Sequence, residues 1–361
     1  MESIFNKFNL DLSWLKNNTL YLAKHGSRAY GTHIEGISDT DYKGFCTVPI
    51  EYLFGFMKNF EQAELNDPDT VIFELRKFFK LAADCNPNSL EILYVEPEDI
   101  VYISPLGEEV LANRDLFLSK KIKFTMVGYS VAQLKRIKLH RRYLLNPPAS
   151  PPTRKELGLP EATLIPQDQL EAASAEIKKE LNKFQFDFMQ GIDESVKIGI
   201  QSIMAEMLAE LKITADQQWE AASRKIGLSD SFIEVLKKEK TYTNKKREWD
   251  QFQNWKTTRN PARAALEEKF GYDTKHAYHL VRLLRMAKET LITGKLLVKR
   301  PDKDELLAIR NGLWSYDEII EFSEKIEKEV DELYVTTNVL PNIPDKNKLD
   351  KLCIDLIEKS L

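Results

Sequence analysis

Short apolar runs separated by chain breakers fill the first hundred residues, and longer runs with helical spacing fill the rest. Three early runs, rich in aromatic and β-branched residues, predict strands: Leu20–Lys24, Tyr42–Val48 and Asp69–Phe73. The third continues into an amphipathic stretch over residues 74–82. After the breaker Asn86-Pro87-Asn88, Ser89–Val95 fits either a short helix or a buried strand. The pattern predicts a mixed α and β segment at the start of the chain.

From about Pro105 onward, apolar positions recur at helical spacing. The predicted helices cover Phe117–Leu145, Gln169–Leu211, Ser229–Trp255, Asp273–Thr293 and Ser315–Leu333. Asp273 or Thr274 can cap the fourth helix, and Gly294 follows its end. Ser315 and Glu318 have the spacing of a capping box. The proline-rich stretch over 146–160 predicts a surface connection.

Composition excludes several classes of protein. The chain has 361 residues, of which 43% are hydrophobic, so it is not disordered, collagen-like or a disulfide framework. Cys46, Cys85 and Cys353 are far apart and odd in number, which indicates reduced thiols, and we expect a cytoplasmic protein. No apolar run reaches the roughly 18 residues of a membrane helix, and the first residues do not resemble a signal peptide.

Charge is unevenly distributed although the formal net charge is only -4. Lysine and arginine are concentrated over residues 120–155 and again over 237–263. These segments are either solvated helix faces balanced by acidic ones, or a wall that faces the phosphates of a nucleic acid. The sequence leaves both readings open.

The segment with the clearest chemistry runs from Leu22 to Phe45. A predicted strand ends in Gly26-Ser27, where the hydroxyl of Ser27 and the amides of a short helix from Arg28 can hold phosphate oxygens. Asp39 and Asp41 are two residues apart, so on an extended strand both carboxylates share one face. Two adjacent carboxylates repel unless a cation lies between them, and Mg²⁺ suits such a site.

This pattern matches what two-metal phosphoryl or nucleotidyl transfer requires. A third carboxylate from a neighbouring strand normally completes such a site, and the candidates are Asp69 and Glu74. We prefer Asp69 slightly, because Glu74 can already belong to the following helix.

The Gly26-Ser27 and Asp39-x-Asp41 arrangement resembles the nucleotidyltransferase superfamily that includes DNA polymerase beta. Longer strings sharpen the resemblance to the stand-alone predicted nucleotidyltransferases of bacteria and phages: GSRAYGTHIEGISDTDYKGF, DTVIFELRKFFKLAADCNPNSLEIL, and residues 259–312. The resemblance covers about 20–320 and is weak over about 169–255. It implies an α+β fold with a small nucleotidyltransferase core, a mixed twisted sheet with flanking helices, over 1–110. A mostly helical domain over 111–361 would then close the nucleotide cleft, with a variable insertion near 165–255.

The resemblance also implies roles for individual residues. Gly26 and Ser27 would hold the nucleotide phosphates, Asp39 and Asp41 would bind metal, and an acidic residue of the family string falls on Asp69. Lys77 either approaches the nucleotide or lies at the surface. We interpret Glu91, which also matches, as a capping or pairing residue.

On the predicted helix after Asp273, the side chains of Lys275, His279 and Arg282 share one face. They predict a triphosphate clamp, since charge-assisted bonds to phosphate are strong; the alternative is a solvated or salt-bridged face. His276 and Tyr278 point elsewhere and can support packing or stack on a base. None of the five histidines has a metal-binding spacing with a downstream acidic ligand.

Together these features predict a Mg²⁺-dependent nucleotidyltransferase, with two metal ions, that moves a nucleoside monophosphate from an NTP to an acceptor. The basic segments favour RNA, such as a tRNA end, as the acceptor. The alternatives are nucleotidylation of a protein partner and a catalytically silent module that binds nucleotide or RNA.

Overall fold

The computed structural model describes residues 2–36, 38–163 and 227–361, together with 168, 171–173, 175–177, 179, 219, 220 and 223–225. The chain divides into two compact units. Unit 1 contains Met1–Leu144 and Pro261–Leu361, and unit 2 contains Leu145–Asn260. Unit 1 therefore combines residues from both ends of the chain.

A five-stranded mixed sheet forms the centre of the N-terminal part of unit 1, in the order β3-β4-β2-β1-β5. The strands are β1 (Thr19–His25), β2 (Asp41–Cys46), β3 (Gln62–Asn66), β4 (Asp69–Glu74) and β5 (Ile100–Ile103). β2 and β4 are parallel, whereas the pairs β1–β2, β1–β5 and β3–β4 are antiparallel. The starts of β2 and β4 consequently lie beside the end of β1. We call this row of strand ends the sheet edge; it is distinct from the outermost strands β3 and β5.

The two faces of the sheet carry different apolar clusters, as the period of two along a strand requires. Tyr21, Phe45 and Phe73 point into the main core. Leu22 and Ile72 point into a smaller cluster on the opposite face, together with Cys46 and parts of the N-terminal segment.

Most of the other elements of the described chain are helices. In the first part of the chain they are α1 (Glu2–Phe5), α2 (Leu15–Asn18), α3 (Ser27–Tyr30), α4 (Ile50–Leu53), α5 (Leu75–Ala83), α6 (Pro87–Leu90), α7 (Pro105–Ala112) and α8 (Ile122–Leu145). Further on they are α9 (Asp230–Thr258), α10 (Pro261–Phe270), α11 (Thr274–Thr293), α12 (Lys303–Arg310), α13 (Tyr316–Thr336) and α14 (Lys346–Ser360).

α11 is the central helix of unit 1. Thirteen of its residues are buried, and its apolar side chains belong to the same core as the sheet. Asp273 caps its N-terminus by accepting a hydrogen bond from the amide of His276, and Gly294 ends it in the left-handed conformation, as predicted. The capping box of Ser315 and Glu318 at the start of α13 is also confirmed.

The predicted fold class is confirmed: the protein is α+β, with a mixed sheet followed by a mostly helical region. All three predicted strands are present, and Ser89–Val95 is helical rather than extended. Two strands were not predicted, β3 and β5. Both are outermost strands of the sheet, each hydrogen-bonded to a single neighbouring strand, and their alternation of apolar and polar residues is weak. The helix predicted over 169–211 lies almost entirely outside the described residues.

Unit 2 contains the proline-rich connection and α9. Arg154 forms a bidentate ion pair with Glu239 of α9 (Nη1–Oε2 2.9 Å, Nη2–Oε1 2.5 Å) and lies over the ring of Tyr242. The proline-rich segment is thus attached to α9. In the part of the chain that the structure describes, no helix combines the length and the apolar character needed to cross a membrane.

Candidate active site

The candidate site lies where the end of β1 meets the starts of β2 and β4. His25, the last residue of β1, is paired with Asp41, the first residue of β2. Tyr42 is paired with Thr70, so Asp41 and Asp69 lie side by side one position earlier on the parallel strands. The register therefore brings together two carboxylates that are 28 positions apart in the sequence.

The face of the sheet that carries these carboxylates is the one that faces α11. Asp41, Lys43 and Phe45 alternate with residues of the other face, and Phe45 belongs to the main core. Asp69 precedes Val71 and Phe73 on the same face of β4. The carboxylates thus extend the apolar face of the sheet to its edge, where Asp69 is exposed and Asp41 is half-buried.

Electrostatics couples Asp41 to its neighbours. Partial burial raises the pKa of Asp41, and the charges of Asp69 and Asp39 raise this pKa further. The cations Lys43 and Lys275 act in the opposite direction. The carboxylates of Asp39 and Asp69 therefore lie close enough to repel that of Asp41, and this repulsion disfavours the ionised form of Asp41 when no cation is bound.

Lys43 is a site residue that the sequence interpretation missed. Its ammonium group donates to the carbonyl and side-chain oxygens of Asn88 (3.4 and 3.3 Å). Burial lowers the pKa of Lys43, while the charges of Glu91, Asp41 and Asp69 raise it. The signal was present, because a residue two positions after Asp41 on a strand shares its face.

Gly26 passes directly beside the carboxylate of Asp41. Its backbone has φ +65°, and a Cβ atom at this position would collide with Oδ2 of Asp41. Only glycine combines this backbone conformation with so close an approach. Ser27 follows as the first residue of α3 and is half-buried, while the guanidinium of Arg28 pairs with Glu35 (3.2 Å).

Glu74 and Lys77 lie at the other end of β4. Glu74 is paired in register with Cys46, whereas Asp69 is five residues earlier, about 16 Å along the strand. The Glu74 carboxylate accepts the amide of Lys77 as the N-cap of α5 and pairs with Arg76 (2.8 Å). Lys77 pairs with Glu61 (2.6 Å). The structure does not bring Glu74 or Lys77 to Asp39 and Asp41.

The three residues of the predicted clamp have different surroundings. Lys275 is exposed, and the charge of Asp41 acts on it. Desolvation by neighbouring protein atoms, followed by the charges of Arg263 and Arg310, lowers the pKa of Lys275. Burial holds the pKa of His279 well below its ordinary value, so this ring is neutral. Of the three, Lys275 is the cation that faces the carboxylates.

Arg282 is buried and bound to Glu91. Its Nη1 donates to Oε1 of Glu91 (2.7 Å), and its guanidinium lies 3.8 Å from the ring centre of Tyr30. The hydroxyl of Tyr30 also donates to Glu91 (2.6 Å), and His25 lies 3.5 Å from the same carboxylate. This cluster joins α11 to the sheet directly beneath the candidate site, and it gives Glu91 the pairing role that the sequence suggested. The hydroxyl pair of Thr32 and Tyr278 (2.8 Å) is a second link.

A second polar cluster lies at the start of α11. Among the described residues, one group of three or more histidine, cysteine and acidic side chains brings its ligand atoms within 4.8 Å of one another, and it consists of His140, Asp273 and His276. No metal-binding spacing is visible in the sequence for these residues, because His140 comes from α8 and the other two from the start of α11, more than 130 positions later. Asp39, Asp41 and Asp69 do not gather their oxygens as tightly.

The donor set at the sheet edge nevertheless fits a divalent cation. Asp39, Asp41 and Asp69 supply carboxylate oxygens, which Mg²⁺ prefers, and two of the three are open to solvent and substrate. Since the mutual repulsion of these groups raises the pKa of Asp41, a bound cation would relieve it.

Comparison with known proteins locates the similarity in the part of the chain that holds this site. No curated protein and no solved structure matches the chain. Residues 2–143 match the model of the RlaP family, described as the RNA repair pathway DNA polymerase beta family. The match includes the whole sheet and Asp39, Asp41 and Asp69, and ends within α8. Residues 2–143 are thus similar to the DNA polymerase beta-like nucleotidyltransferases of this family, which confirms the resemblance over this part of the chain.

Proposed function

We propose that the protein is a Mg²⁺-dependent nucleotidyltransferase that transfers a nucleoside monophosphate from an NTP to the end of an RNA and releases pyrophosphate. The observation that carries this proposal is the register of β1, β2 and β4, which places Asp41 beside Asp69 and Gly26. The family match over residues 2–143 supports the same reaction class.

In this proposal Asp39, Asp41 and Asp69 hold the metal ions. When bound, the ions would activate the acceptor hydroxyl and stabilise the leaving pyrophosphate. The division of the chain into 1–110 as catalytic core and 111–361 as helical domain remains part of the proposal.

The phosphates of the NTP would lie between the Gly26-Ser27 turn and the start of α11. Gly26 has no side chain there, so the chain can approach a phosphate closely. Lys275 supplies a positive charge next to Asp41, and Arg310 lies near enough for its charge to act on Lys275. We therefore assign the clamp mainly to Lys275, with Arg282 as the buried residue that holds α11 in place. Catalysis then comes from positioning and charge neutralisation.

Exposed cations support RNA as the acceptor. Lys245, Lys246 and Arg247 form three consecutive exposed cations on α9 of unit 2. In contrast, Lys121 and Lys123 of the first basic segment pair with Asp84 and Asp331 (2.6 and 2.9 Å). Lys135, Arg136 and Lys138 of the first segment are exposed as well, so both basic segments offer cations to the phosphates of a nucleic acid.

The acceptor can be identified by incubating the protein with Mg²⁺, total RNA and each α-labelled NTP in turn. We expect label on RNA and release of unlabelled pyrophosphate. Label on a protein would support nucleotidylation of a protein partner instead, and no transfer with any NTP would contradict the proposal.

Salt dependence provides a second test of the RNA partner. Contacts with phosphates release counterions, so RNA affinity must fall steeply between low and moderate salt. A Lys245→Gln/Lys246→Gln/Arg247→Gln variant should bind RNA more weakly. Its plot of log affinity against log salt concentration should be less steep, by the equivalent of about two to three phosphate contacts. Affinity that is insensitive to salt would count against RNA as the acceptor.

A further inference from the structure

The cluster at the start of α11 draws residues from three helices of unit 1. His140 comes from α8, Glu267 from α10, and Asp273 and His276 from the start of α11. Asp273 is completely buried, Glu267 is 1% exposed and His276 9%. Two acidic groups are therefore enclosed at one point, which requires compensating positive charge.

Both histidines of the cluster lie at metal-site distances from one oxygen of Asp273, and the ligand atoms of the three residues all lie within 4.8 Å of one another. Nδ1 of His140 lies 3.4 Å from Oδ2 of Asp273 and 3.6 Å from Oε1 of Glu267. Nε2 of His276 lies 3.4 Å from the same Asp273 oxygen. A tetrahedral Zn²⁺ ion with bonds of about 2.0–2.1 Å separates its ligand atoms by about 3.3–3.4 Å.

The hydrogen bond of His276 to Gln133 sets the state of the ring. Oε1 of Gln133 can only accept, so Nδ1–H of His276 donates to it (2.6 Å). In the neutral ring the lone pair of Nε2 then faces a carboxylate oxygen of Asp273. Two acceptors that face each other repel, and although Arg263 donates to this Asp273 oxygen, a cation between the two acceptors would remove the repulsion. A metal-bound histidine whose other nitrogen donates to a neighbouring group is the usual arrangement.

We propose that His140, Asp273 and His276, with Glu267 beside them, form a binding site for a transition-metal ion of the zinc class, separate from the carboxylates at the sheet edge. Nitrogen and carboxylate ligands in this combination suit Zn²⁺ or Co²⁺. The guanidinium of Arg263, which also binds Asp273 (Nε–Oδ2 2.9 Å), would move aside or stay bonded to the metal-bound carboxylate.

A metal ion here would tie α8 to α11. Gly271 lies in the turn between α10 and α11, close to the cluster. Its carbonyl oxygen accepts a hydrogen bond from Nη1 of Arg141 on α8 (2.9 Å). Lys275 lies between the two ligands Asp273 and His276 in the sequence, so the ion would fix the part of α11 that bears this cation. The role of the ion is thus structural.

The test uses the full-length Asp39→Asn/Asp41→Asn variant, so that binding at the sheet edge is removed. After metal is stripped with a chelator and the chelator is removed, Co²⁺ and Zn²⁺ are titrated. We expect about one ion per chain, the intense visible absorption of tetrahedral Co²⁺, and a higher melting temperature with metal. The absence of this Co²⁺ spectrum would overturn the proposed metal site, and it would not affect the proposed nucleotidyl transfer.

Ligand variants in the same background locate the ion. His140→Gln and His276→Gln should lose the spectrum, and Gln133→Leu should weaken binding about 10- to 100-fold. The matched control is His33→Gln, which changes a histidine next to Glu35 and outside the cluster. Circular dichroism of the metal-free variants checks folding. Unchanged metal binding in both ligand variants would show that the ion binds outside this cluster, and would also overturn the proposal.

Discussion

At the residue scale, Gly26 determines how closely the chain passes Asp41. Its left-handed backbone and missing side chain leave room for the carboxylate, and any larger residue would displace Oδ2 of Asp41. The geometry of Asp41 therefore depends on a residue that has no functional group of its own.

We expect Gly26→Ala to reduce nucleotidyl transfer by at least about 100-fold, because the new Cβ pushes the Asp41 carboxylate away. Gly158→Ala is the control for an alanine at positive φ: φ is +64° there, and nothing lies within 4 Å of the added Cβ. Because ψ is -137° at Gly26 and 31° at Gly158, Gly26→Ala also carries the larger backbone strain, so the free energy of unfolding of both variants is measured by chemical denaturation. Equal activity of the two variants would contradict the assigned role of Gly26.

The third carboxylate can be assigned by a second pair of variants. Asp69→Asn should lower turnover by about 100-fold or more, since Asp69 lies beside Asp41 in the register. Glu74→Gln should leave turnover near that of the unchanged protein, because glutamine can still cap α5 at the far end of β4. The measurement is steady-state transfer at saturating Mg²⁺; the reverse ranking of the two variants would refute the register argument.

At the scale of elements, the sequence predicted what depends on local pattern and missed what depends on pairing. Periodicity identified β1, β2, β4 and α11, and the caps of α11 and α13 follow from single residues. The sequence did not show that Arg282 points at Glu91, because that contact forms only when α11 packs on the sheet. For the same physical reason the partnership of His140 with His276 was missed, whereas Lys43 could have been found from its place two residues after Asp41 on the predicted strand.

The ion pair of Glu91 and Arg282 should contribute strongly to the stability of the protein, because it joins α11 to the sheet. Arg282→Met leaves the Glu91 charge buried without its cation, and we expect unfolding to become about 3–5 kcal/mol easier. In Glu91→Gln/Arg282→Met the neutral partner should restore part of this loss. Urea denaturation measures both, with Arg285→Met, whose ion pairs are half-exposed, as the control. A loss no larger than that of the control would mean that the pair does not hold α11 to the sheet.

At the scale of the whole molecule, buried neutral histidines make the fold sensitive to acid. Burial, and next the charge of Lys43, lower the pKa of His25 to about 4, although Glu91 opposes this shift. The unfolded chain therefore binds a proton that the native chain does not between about pH 6.5 and 4. The stability that His25 contributes is complete above the unfolded pKa and is lost as the pH falls through this range.

We accordingly expect the free energy of unfolding to decrease between pH 6.5 and 4, with His25 alone accounting for about 3 kcal/mol at most. In His25→Gln this decrease should be smaller, while His33→Gln should retain it. Denaturation curves at several pH values provide the measurement. An identical pH slope in His25→Gln and the unchanged protein would rule out this origin of acid sensitivity.

The central claim is that the carboxylates at the sheet edge support nucleotidyl transfer. The most direct measurement is the rate of transfer from labelled NTP to RNA by the Asp39→Asn/Asp41→Asn variant, with its fold checked by circular dichroism. Asp84→Asn, which alters an exposed aspartate paired with Lys121, is the control. We predict a loss of at least about 1,000-fold, equal to about 4 kcal/mol, in the double variant and no loss in the control. Undiminished transfer by a folded double variant would contradict the account.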